Sequence, residues 1–241
     1  KNRNFCTESF YARLLTELKL TTRSSTVKRM VFLRGALICL FLASAAIAQN
    51  FVPLFDGKSL NGWFIVNQQG PGFLVRDGLL ICPANGGQKL MTEKEYANFI
   101  LRFEFRLEAD SNNGIGIRAP RVGQTSKAGM EIQILDQTGP LYGPQKLKPE
   151  QGQGSIYDVW PARSGFLKSP GEWNREEIRA DGRHIQVRLN GAVILDVNLD
   201  LIQEPEILKV HPGLQRKSGH IALLGHQSRV DFRNLQIAVL P

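Results

Sequence analysis

FILRFEFRL, residues 99–107, alternates with a period of two, because its odd-numbered positions are apolar and its even-numbered positions are mostly charged. Such alternation is typical of a β-strand with one face in a core and the other in water. HIQVRL (184–189) repeats the pattern and is followed by Asn190-Gly191, a pair that favours a two-residue hairpin turn into AVIL (192–195). The centre of the chain therefore predicts antiparallel strands joined by tight turns.

The rest of residues 51–241 extends this pattern. IALL (221–224) and VDFRNLQI (230–237) predict two closing strands, whereas helix-like features are confined to TEKEY (92–96), read as one turn, and to residues 199–207, read as a short helix or loop. Many short strands with few helices indicate an all-β sandwich or barrel. No internal repeat or linker interrupts the stretch, so we expect a single domain.

The stretch 30–48 has the layout of a secretory signal peptide. Arg34 precedes an apolar run at 36–42, and small residues follow up to the Ala-x-Ala pattern that ends at Ala48. The alternative is a membrane anchor, but the run is shorter than the ~20 residues that span a bilayer. We expect cleavage after Ala48 and a secreted or periplasmic mature protein. Residues 1–29 are interpreted as an upstream extension, with the true start at Met30.

Charge and cysteine content narrow the class of protein further. The chain carries 30 basic and 22 acidic residues, but residues 1–48 hold 8 and 2 of them, which leaves 22 and 20 in the mature part. A near-neutral domain offers no support for nucleic-acid binding. Cys82 is the single cysteine beyond residue 48, so the mature part has neither an intramolecular disulfide nor a cysteine cluster for zinc. Burial of apolar surface must hold the domain together.

A second alternating stretch, GMEIQILD (129–136), carries polar residues where a packing strand would carry apolar ones. Glu131 and Gln133 point to one face and Ile132 and Ile134 to the other. The irregular segment 137–172 is rich in Gly, Pro, Lys and Gln, which is typical of a functional loop in a compact domain. Both features predict a site on the Glu131 face.

The chain resembles the 3-keto-disaccharide hydrolase domain family, also known as DUF1080. The motifs that carry the resemblance are LFDGKSLNGW (54–63), VRDGLL (75–80), NNGIGIR (112–118), GMEIQILD (129–136), GSIYD (154–158), GEWN (171–174), LNG (189–191) and VDFRNLQI (230–237). The resemblance implies a concanavalin A-like lectin/glucanase jelly roll and cleavage of glycosides whose sugar is oxidised to a 3-ketone, with lyases and hydratases among the relatives. Many members have Leu-Gln-x-His-Gly near the penultimate strand, where this chain has a leucine, Leu224, before Gly225-His226.

The expected inner face gathers candidate catalytic residues. Alternation in NNGIGIR sends Ile115 and Ile117 to the core and therefore turns Gly114, Gly116 and Arg118 toward a groove, next to Glu131 and His226. GMEIQILD (129–136) also resembles the Glu-x-Asp-x-Glu strand of retaining β-glucanases on the same jelly roll, whose outer carboxylates act as nucleophile and acid.

The chain departs from the β-glucanase pattern at two of its three positions. These positions hold Glu131, Gln133 and Leu135, so one carboxylate remains and the two-carboxylate mechanism is incomplete. A single base suits a 3-keto sugar, because the ketone acidifies the hydrogen on C2. We expect Glu131 or His226 to be the base, and Arg118 to meet the developing oxyanion.

Other residues are expected to contact the sugar. The expected substrate contacts are Gln133, Tyr157, Asp158, Trp160 and Lys168, with the two aromatic rings stacking on the sugar. No cofactor is expected; a divalent metal held by Glu131 and His226 stays open, although no ligand spacing requires one.

Alternatives to this interpretation remain open from the sequence. Glu131 and Arg118 could form a structural ion pair. The domain could be a non-catalytic carbohydrate-binding module, or a protein–protein adaptor, although no exposed apolar stripe supports the latter. A carboxylate favours catalysis over a lectin-like site, since such sites can manage with amides and aromatic rings.

Overall fold

The computed structural model describes residues 49–143 and 145–241. The upstream extension and signal peptide expected for residues 1–48 lie outside these ranges. In the described ranges, the strands are β1 Val52–Pro53, β2 Trp63–Gln69, β3 Leu74–Arg76, β4 Leu79–Cys82, β5 Gly87–Tyr96, β6 Phe99–Leu107, β7 Asn112–Ala119, β8 Met130–Leu135, β9 Trp173–Asp181, β10 His184–Leu189, β11 Ala192–Asn198, β12 Gly219–Gly225 and β13 Val230–Val239.

The strands form two antiparallel sheets. The large sheet has the order β11-β10-β9-β6-β13-β4-β3, with β1 paired to β13, and the small sheet has the order β2-β5-β12-β7-β8. The order shows that sequence neighbours are often not neighbours in the sheets, as in a jelly roll. The expected all-β, concanavalin A-like jelly-roll sandwich is confirmed.

One apolar core lies between the sheets. The alternation of β6 buries Phe99, Leu101, Phe103, Phe105 and Leu107, each no more than 2% exposed. The small sheet contributes inward side chains from its own alternate positions, which are Ile115, Ile117, Met130, Ile132 and Ile134. Because alternate residues of a strand point to opposite faces, this packing fixes which side chains of β7 and β8 turn away from the core.

Helical structure is limited to short pieces. The described ranges contain α1 at Thr125–Ala128 and α2 at Pro205–Val210, with 3₁₀ turns at Pro149–Gln151, Leu199–Leu201 and Pro212–Gln215. In these ranges no helix is long and apolar enough to cross a membrane. The helical turn expected at residues 92–96 is wrong: this stretch is the end of β5, where Glu95 pairs with His220 and Tyr96 with Gly219. Pairing with a neighbouring strand outweighs the weak helix preference of Glu and Lys.

Candidate active site on the small sheet

Two rows of side chains cross the face of the small sheet that points away from the core. The register of the five strands gives a first row of Phe64, Met91, Ala222, Gly116 and Glu131, and a second row of Val66, Lys89, Leu224, Gly114 and Gln133. The rows are apolar at the β2 end and polar at the β8 end. The sequence-based expectation that Gly114, Gly116, Glu131 and Gln133 share a face is confirmed by this register.

The carboxylate of Glu131 lies over a glycine floor. A Cβ atom added to Gly114 would stand 2.2 Å from Oε1 of Glu131, so a side chain at this position would displace the carboxylate. Glu131 is 7% exposed. The basic side chain within 4 Å of it in the described ranges is the imidazole of His226, whose Nε2 is 3.7 Å from Oε1 and whose side chain is 52% exposed. The pair thus consists of a recessed carboxylate and an imidazole at the rim.

Gln133 lies beside Glu131 in the next row and is also buried. Its Nε2 donates a hydrogen bond to Oδ1 of Asn112 at 3.0 Å. Its Oε1 is buried and accepts no hydrogen bond from the described residues. A buried acceptor without a partner is costly, and a ligand hydroxyl at the face is one group that could satisfy it. Asn112, which belongs to the NNGIGIR motif, thus fixes the amide of Gln133.

Tyr157 is brought to Glu131 by a segment that pairs with the free edge of β8. Backbone bonds join Tyr157 N to Glu131 O (2.9 Å), Gln133 N to Ser155 O (3.0 Å) and Gly154 N to Gln133 O (2.8 Å). Ile156 faces Ile132 in the core, so Tyr157 faces the same side as Glu131. The first row therefore continues from Glu131 to Tyr157.

The phenol of Tyr157 is protonated at neutral pH. Burial raises its pKa above the ordinary value, and the negative charges of Asp158 and Glu131 raise it further. Gln151 donates from Nε2 to Oδ1 of Asp158 at 2.8 Å and, more weakly, to the tyrosine oxygen at 3.5 Å. Asp158 therefore supports Tyr157 through Gln151, a residue that no periodicity in the sequence could have identified.

Arg118 is not brought to Glu131. Its backbone has a φ of +48°, a left-handed conformation that breaks the alternation of β7 at its end. The buried guanidinium donates to the carbonyl oxygens of Ala97 (3.1 Å) and Arg216 (3.3 Å), and Arg216 donates from Nε to the carbonyl oxygen of Arg118. The expected neighbourhood of Arg118 and Glu131 is wrong, and the alternative structural ion pair between them is not formed either.

Two other expected contacts also lie apart from Glu131. Trp160 pairs through its backbone with Ile156, and its ring packs against the main core. Lys168 donates from Nζ to the carbonyl oxygen of Trp173 at 3.0 Å, on the large sheet. The path of the 137–172 loop decides both positions, and loop paths carry no periodic signal in the sequence.

A covering segment, residues 120–128, lies over the apolar part of the face. Lys89 donates from Nζ to the carbonyl oxygen of Gly123 at 2.6 Å, and the guanidinium of Arg121 stands 4.8 Å from the ring centre of Phe64. The methyl group of Thr125 packs on Gly116, where an added Cβ would meet it at 2.7 Å. Met91, Ala222 and Leu224 are consequently buried, and the open part of the face is the end that holds Glu131, His226 and Tyr157.

The residues available for a metal are few. The described part of the chain contains no group of three or more His, Cys, Asp or Glu side chains that could hold an ion. Glu131 and His226 would supply two ligands at one position, and the oxygens of Gln133 and of water would have to complete the set.

Comparison with known proteins places the chain in a family. Residues 50–238 match the family model of the 3-keto-alpha-glucoside-1,2-lyase-like domain. The chain belongs to this family. It is also 25% identical to a 3-keto-disaccharide hydrolase of Bacteroides thetaiotaomicron, in an alignment of 230 positions that covers 80% of this chain and 79% of that protein. The resemblance inferred from the motifs is confirmed, and the chain is a carbohydrate-active protein of this family.

Solved structures of similar proteins support the fold. A Parabacteroides distasonis protein assigned provisionally to the glycosyl hydrolases is 28% identical, with a TM-score of 0.70 over 80% of this chain and 100% of its own. A second protein from the same organism, with the same provisional assignment, is 23% identical, with a TM-score of 0.65 over 79% and 94% of the two chains. The second likeness shows the shared sandwich alone.

Proposed function

We propose that this protein is an exported enzyme that cleaves 3-keto-glycosides by elimination, with Glu131 as the general base. The observation that carries the proposal is the position of Glu131, recessed over Gly114 at the open end of the face and bonded to no arginine or lysine in the described ranges. The family and the B. thetaiotaomicron relative support a keto-sugar substrate. The signal-peptide layout of residues 30–48 supports action outside the cytoplasm.

The proposed chemistry needs one base and one oxyanion partner. Glu131 takes the hydrogen from C2, which the neighbouring ketone makes acidic, and the electron pair moves to form an enolate. The bond between C1 and the aglycone oxygen then breaks, and that oxygen leaves with its electron pair and takes up a proton. Water adds to the resulting enone in the reverse sense. General base catalysis of this type contributes about 10²–10⁴-fold. The substrate's own ketone activates C2, so the scheme draws on no cofactor.

The alternative displacement mechanism requires a second carboxylate, which β8 does not supply. Retaining and inverting glycosidases place two carboxyl groups on either side of the glycosidic bond. On β8 the residue after Glu131 on the same face is Gln133, an amide, and the third position of the β-glucanase pattern is Leu135, which is fully buried. The site therefore suits substrates whose C2 hydrogen is already acidic.

The exposure of His226 suits it to exchange protons with solvent. Its imidazole reaches Glu131 at 3.7 Å while half of its surface faces solvent. Histidine exchanges protons near neutral pH. We assign to it the transfer of the abstracted proton between Glu131 and water, and the orientation of the water that adds to the enone.

The test compares oxidised and ordinary disaccharides. Purified protein is mixed with 3-keto-trehalose, 3-keto-sucrose, trehalose and sucrose, and the release of free sugar is followed. The expected result is turnover of the two keto sugars only, with incorporation of deuterium at C2 when the reaction runs in D₂O. Comparable turnover of sucrose and 3-keto-sucrose would overturn the elimination mechanism. Binding of the keto sugars without turnover would instead identify a carbohydrate-binding module.

A further inference from the structure

The proposed elimination builds negative charge on the ketone oxygen at C3. An arginine is a common partner for such a charge, but the arginine expected here does not reach the face of Glu131. Arg118, the cation that strand alternation predicted beside Glu131, is bonded to the carbonyl oxygens of Ala97 and Arg216. A donor aimed at a developing oxyanion is commonly the largest single contribution to such a reaction. Another group on the Glu131 face must take this role in the proposed reaction.

The donors of the face are largely committed elsewhere. Lys89 donates from Nζ to Gly123 under the covering segment, and Gln133 donates from Nε2 to Asn112. The imidazole of His226 lies next to the carboxylate, with its Nε2 at 3.7 Å from Oε1 of Glu131. A hydroxyl on the segment paired with Glu131 is that of Tyr157, whose oxygen receives a weak hydrogen bond from Gln151 and so keeps its own proton to donate.

The pairing of Tyr157 with β8 sets its distance from Glu131. The two residues lie opposite each other on adjacent antiparallel chain segments, joined by the bond from Tyr157 N to Glu131 O at 2.9 Å. Side chains in such a pair have Cβ atoms about 4.5–5.5 Å apart. The hydrogen on C2 and the oxygen on C3 sit on neighbouring carbons of the sugar, so a base and a donor on neighbouring segments match them.

We propose that Tyr157 is a catalytic residue that donates a hydrogen bond from its hydroxyl to the C3 oxygen as the enolate forms. The proposal rests on the proposed function and replaces the ring stacking that the sequence had indicated for this residue. Gln151 and Asp158 act as positioning residues, because their contacts hold the phenol beside Glu131. The neutral state of the phenol suits a donor, since an ionised phenolate would repel the enolate.

The first experiment replaces the hydroxyl and keeps the ring. Tyr157→Phe is assayed with 3-keto-trehalose and with 4-nitrophenyl 3-keto-β-glucoside, whose leaving groups differ widely in acidity. We expect turnover to fall about 10²–10³-fold on both substrates by a similar factor, the cost of removing one oxyanion donor. Tyr96→Phe is the matched control, because Tyr96 ends β5 and packs against the core beside Phe99. It should retain wild-type turnover, and equal melting temperatures exclude a folding effect.

A second experiment separates the enolate from the leaving group. A 3-keto sugar without a substituent at C1, 1-deoxy-3-ketoglucose, exchanges its C2 hydrogen in D₂O but cannot eliminate. We expect Tyr157→Phe to slow this exchange by the same factor as turnover. Unchanged exchange, or a loss confined to 3-keto-trehalose, would overturn the proposal and make Tyr157 an acid for the leaving group. Wild-type turnover of Tyr157→Phe would return the residue to stacking. Failure of the wild-type protein on both keto substrates would instead overturn the proposed function.

Discussion

The carboxylates on the outward faces of the two sheets have different neighbours. On the large sheet, three cross-strand ion pairs join Arg102 to Glu177 (2.6 Å), Arg106 to Asp231 (2.6 Å) and Arg233 to Glu104 (2.7 Å). On the small sheet, Glu131 meets no arginine or lysine within 4 Å among the described residues, and its neighbour is the imidazole of His226. The same fold thus carries a neutralised face and a face with one carboxylate left free of strong cations.

This difference suits a structural role for the paired charges of the large sheet and a chemical role for Glu131. Exposed ion pairs contribute about 0–1 kcal/mol each, so the large sheet uses its charges mainly to keep a polar, matched surface. An arginine beside a carboxylate lowers the carboxylate pKa and weakens it as a base. The left-handed conformation of Arg118 removes the arginine that strand alternation would have placed on the same face as Glu131. This exclusion leaves Glu131, the proposed base, without an arginine neighbour in the described ranges.

The largest expected effect comes from exchanging one carboxylate on each face for an amide. Glu131→Gln keeps the shape of the side chain but removes its basicity, and turnover of 3-keto-glycosides should fall about 10²–10⁴-fold with little change in melting temperature. Glu104→Gln is the matched control on the large sheet, where the partner is Arg233. It should keep full turnover and lose at most about 1 kcal/mol of stability.

A loss of stability without a loss of turnover in Glu131→Gln would contradict this assignment of roles. If Glu131→Gln melts much earlier than the wild-type protein and, when folded, turns over normally, then the carboxylate is structural. His226 would then be the candidate base.

A smaller effect is expected from filling the glycine floor. Gly114→Ala places a methyl group 2.2 Å from Oε1 of Glu131, so the carboxylate must move. A misplacement of about 1 Å can cost about 10²-fold in rate, and we expect a loss of this size in turnover. Gly116→Ala is the control in the neighbouring row, where the new methyl group meets Thr125 at 2.7 Å and Ala222 at 2.9 Å.

The two glycine variants should separate in their readouts. Gly116→Ala crowds the covering segment and should mainly lower the free energy of unfolding, by about 1–3 kcal/mol. Gly114→Ala should mainly lower turnover. Equal turnover in Gly114→Ala and wild type would mean that the carboxylate has room to shift without leaving its working position.

The sequence predicted the sandwich, and which residues share the outward face of the small sheet, for one physical reason. Strand alternation places Gly114, Gly116, Glu131 and Gln133 on one face because the core residues between them, such as Ile115 and Ile132, must be buried. The same rule misplaced Arg118, because a single left-handed φ angle redirects its side chain. Such an angle is common for glycine and rare for arginine, so nothing in the residue type announced it.

The loop residues show the other limit of the sequence. Tyr157 and Trp160 are three positions apart and looked equivalent as stacking aromatics, yet Tyr157 faces Glu131 and Trp160 packs on the core. The bridge between Ile132 and Ile156 decides the difference. This contact joins residues that are distant in the chain, and no local pattern encodes it.

Glu176 is a carboxyl group in a third environment, the interior between the two sheets. It is fully buried on β9, and its Oε2 accepts a hydrogen bond from Nε2 of Gln153 at 2.8 Å. Gln153 in turn accepts from the backbone N of Leu135, so the group ties the 137–172 loop to the strand that carries Glu131. Burial raises the pKa of Glu176 well above the ordinary glutamate value of 4.5, and the bond from Gln153 opposes this only in part.

The raised pKa predicts that Glu176 lowers stability as pH increases. The folded state holds the proton more tightly than the unfolded chain, so this group's contribution is complete below pH 4.5 and declines above it until the folded pKa is reached. In that window each pH unit removes about 1.4 kcal/mol. Glu176→Gln cannot ionise, and its free energy of unfolding, measured by urea titration at pH 5, 6, 7 and 8, should therefore fall less steeply than that of the wild-type protein. Glu177→Gln, on the outward face beside Arg102, should keep the wild-type slope. Equal slopes in wild type and Glu176→Gln would mean that the carboxyl ionises in the folded protein near its ordinary pKa, with Gln153 bonded to a charged group.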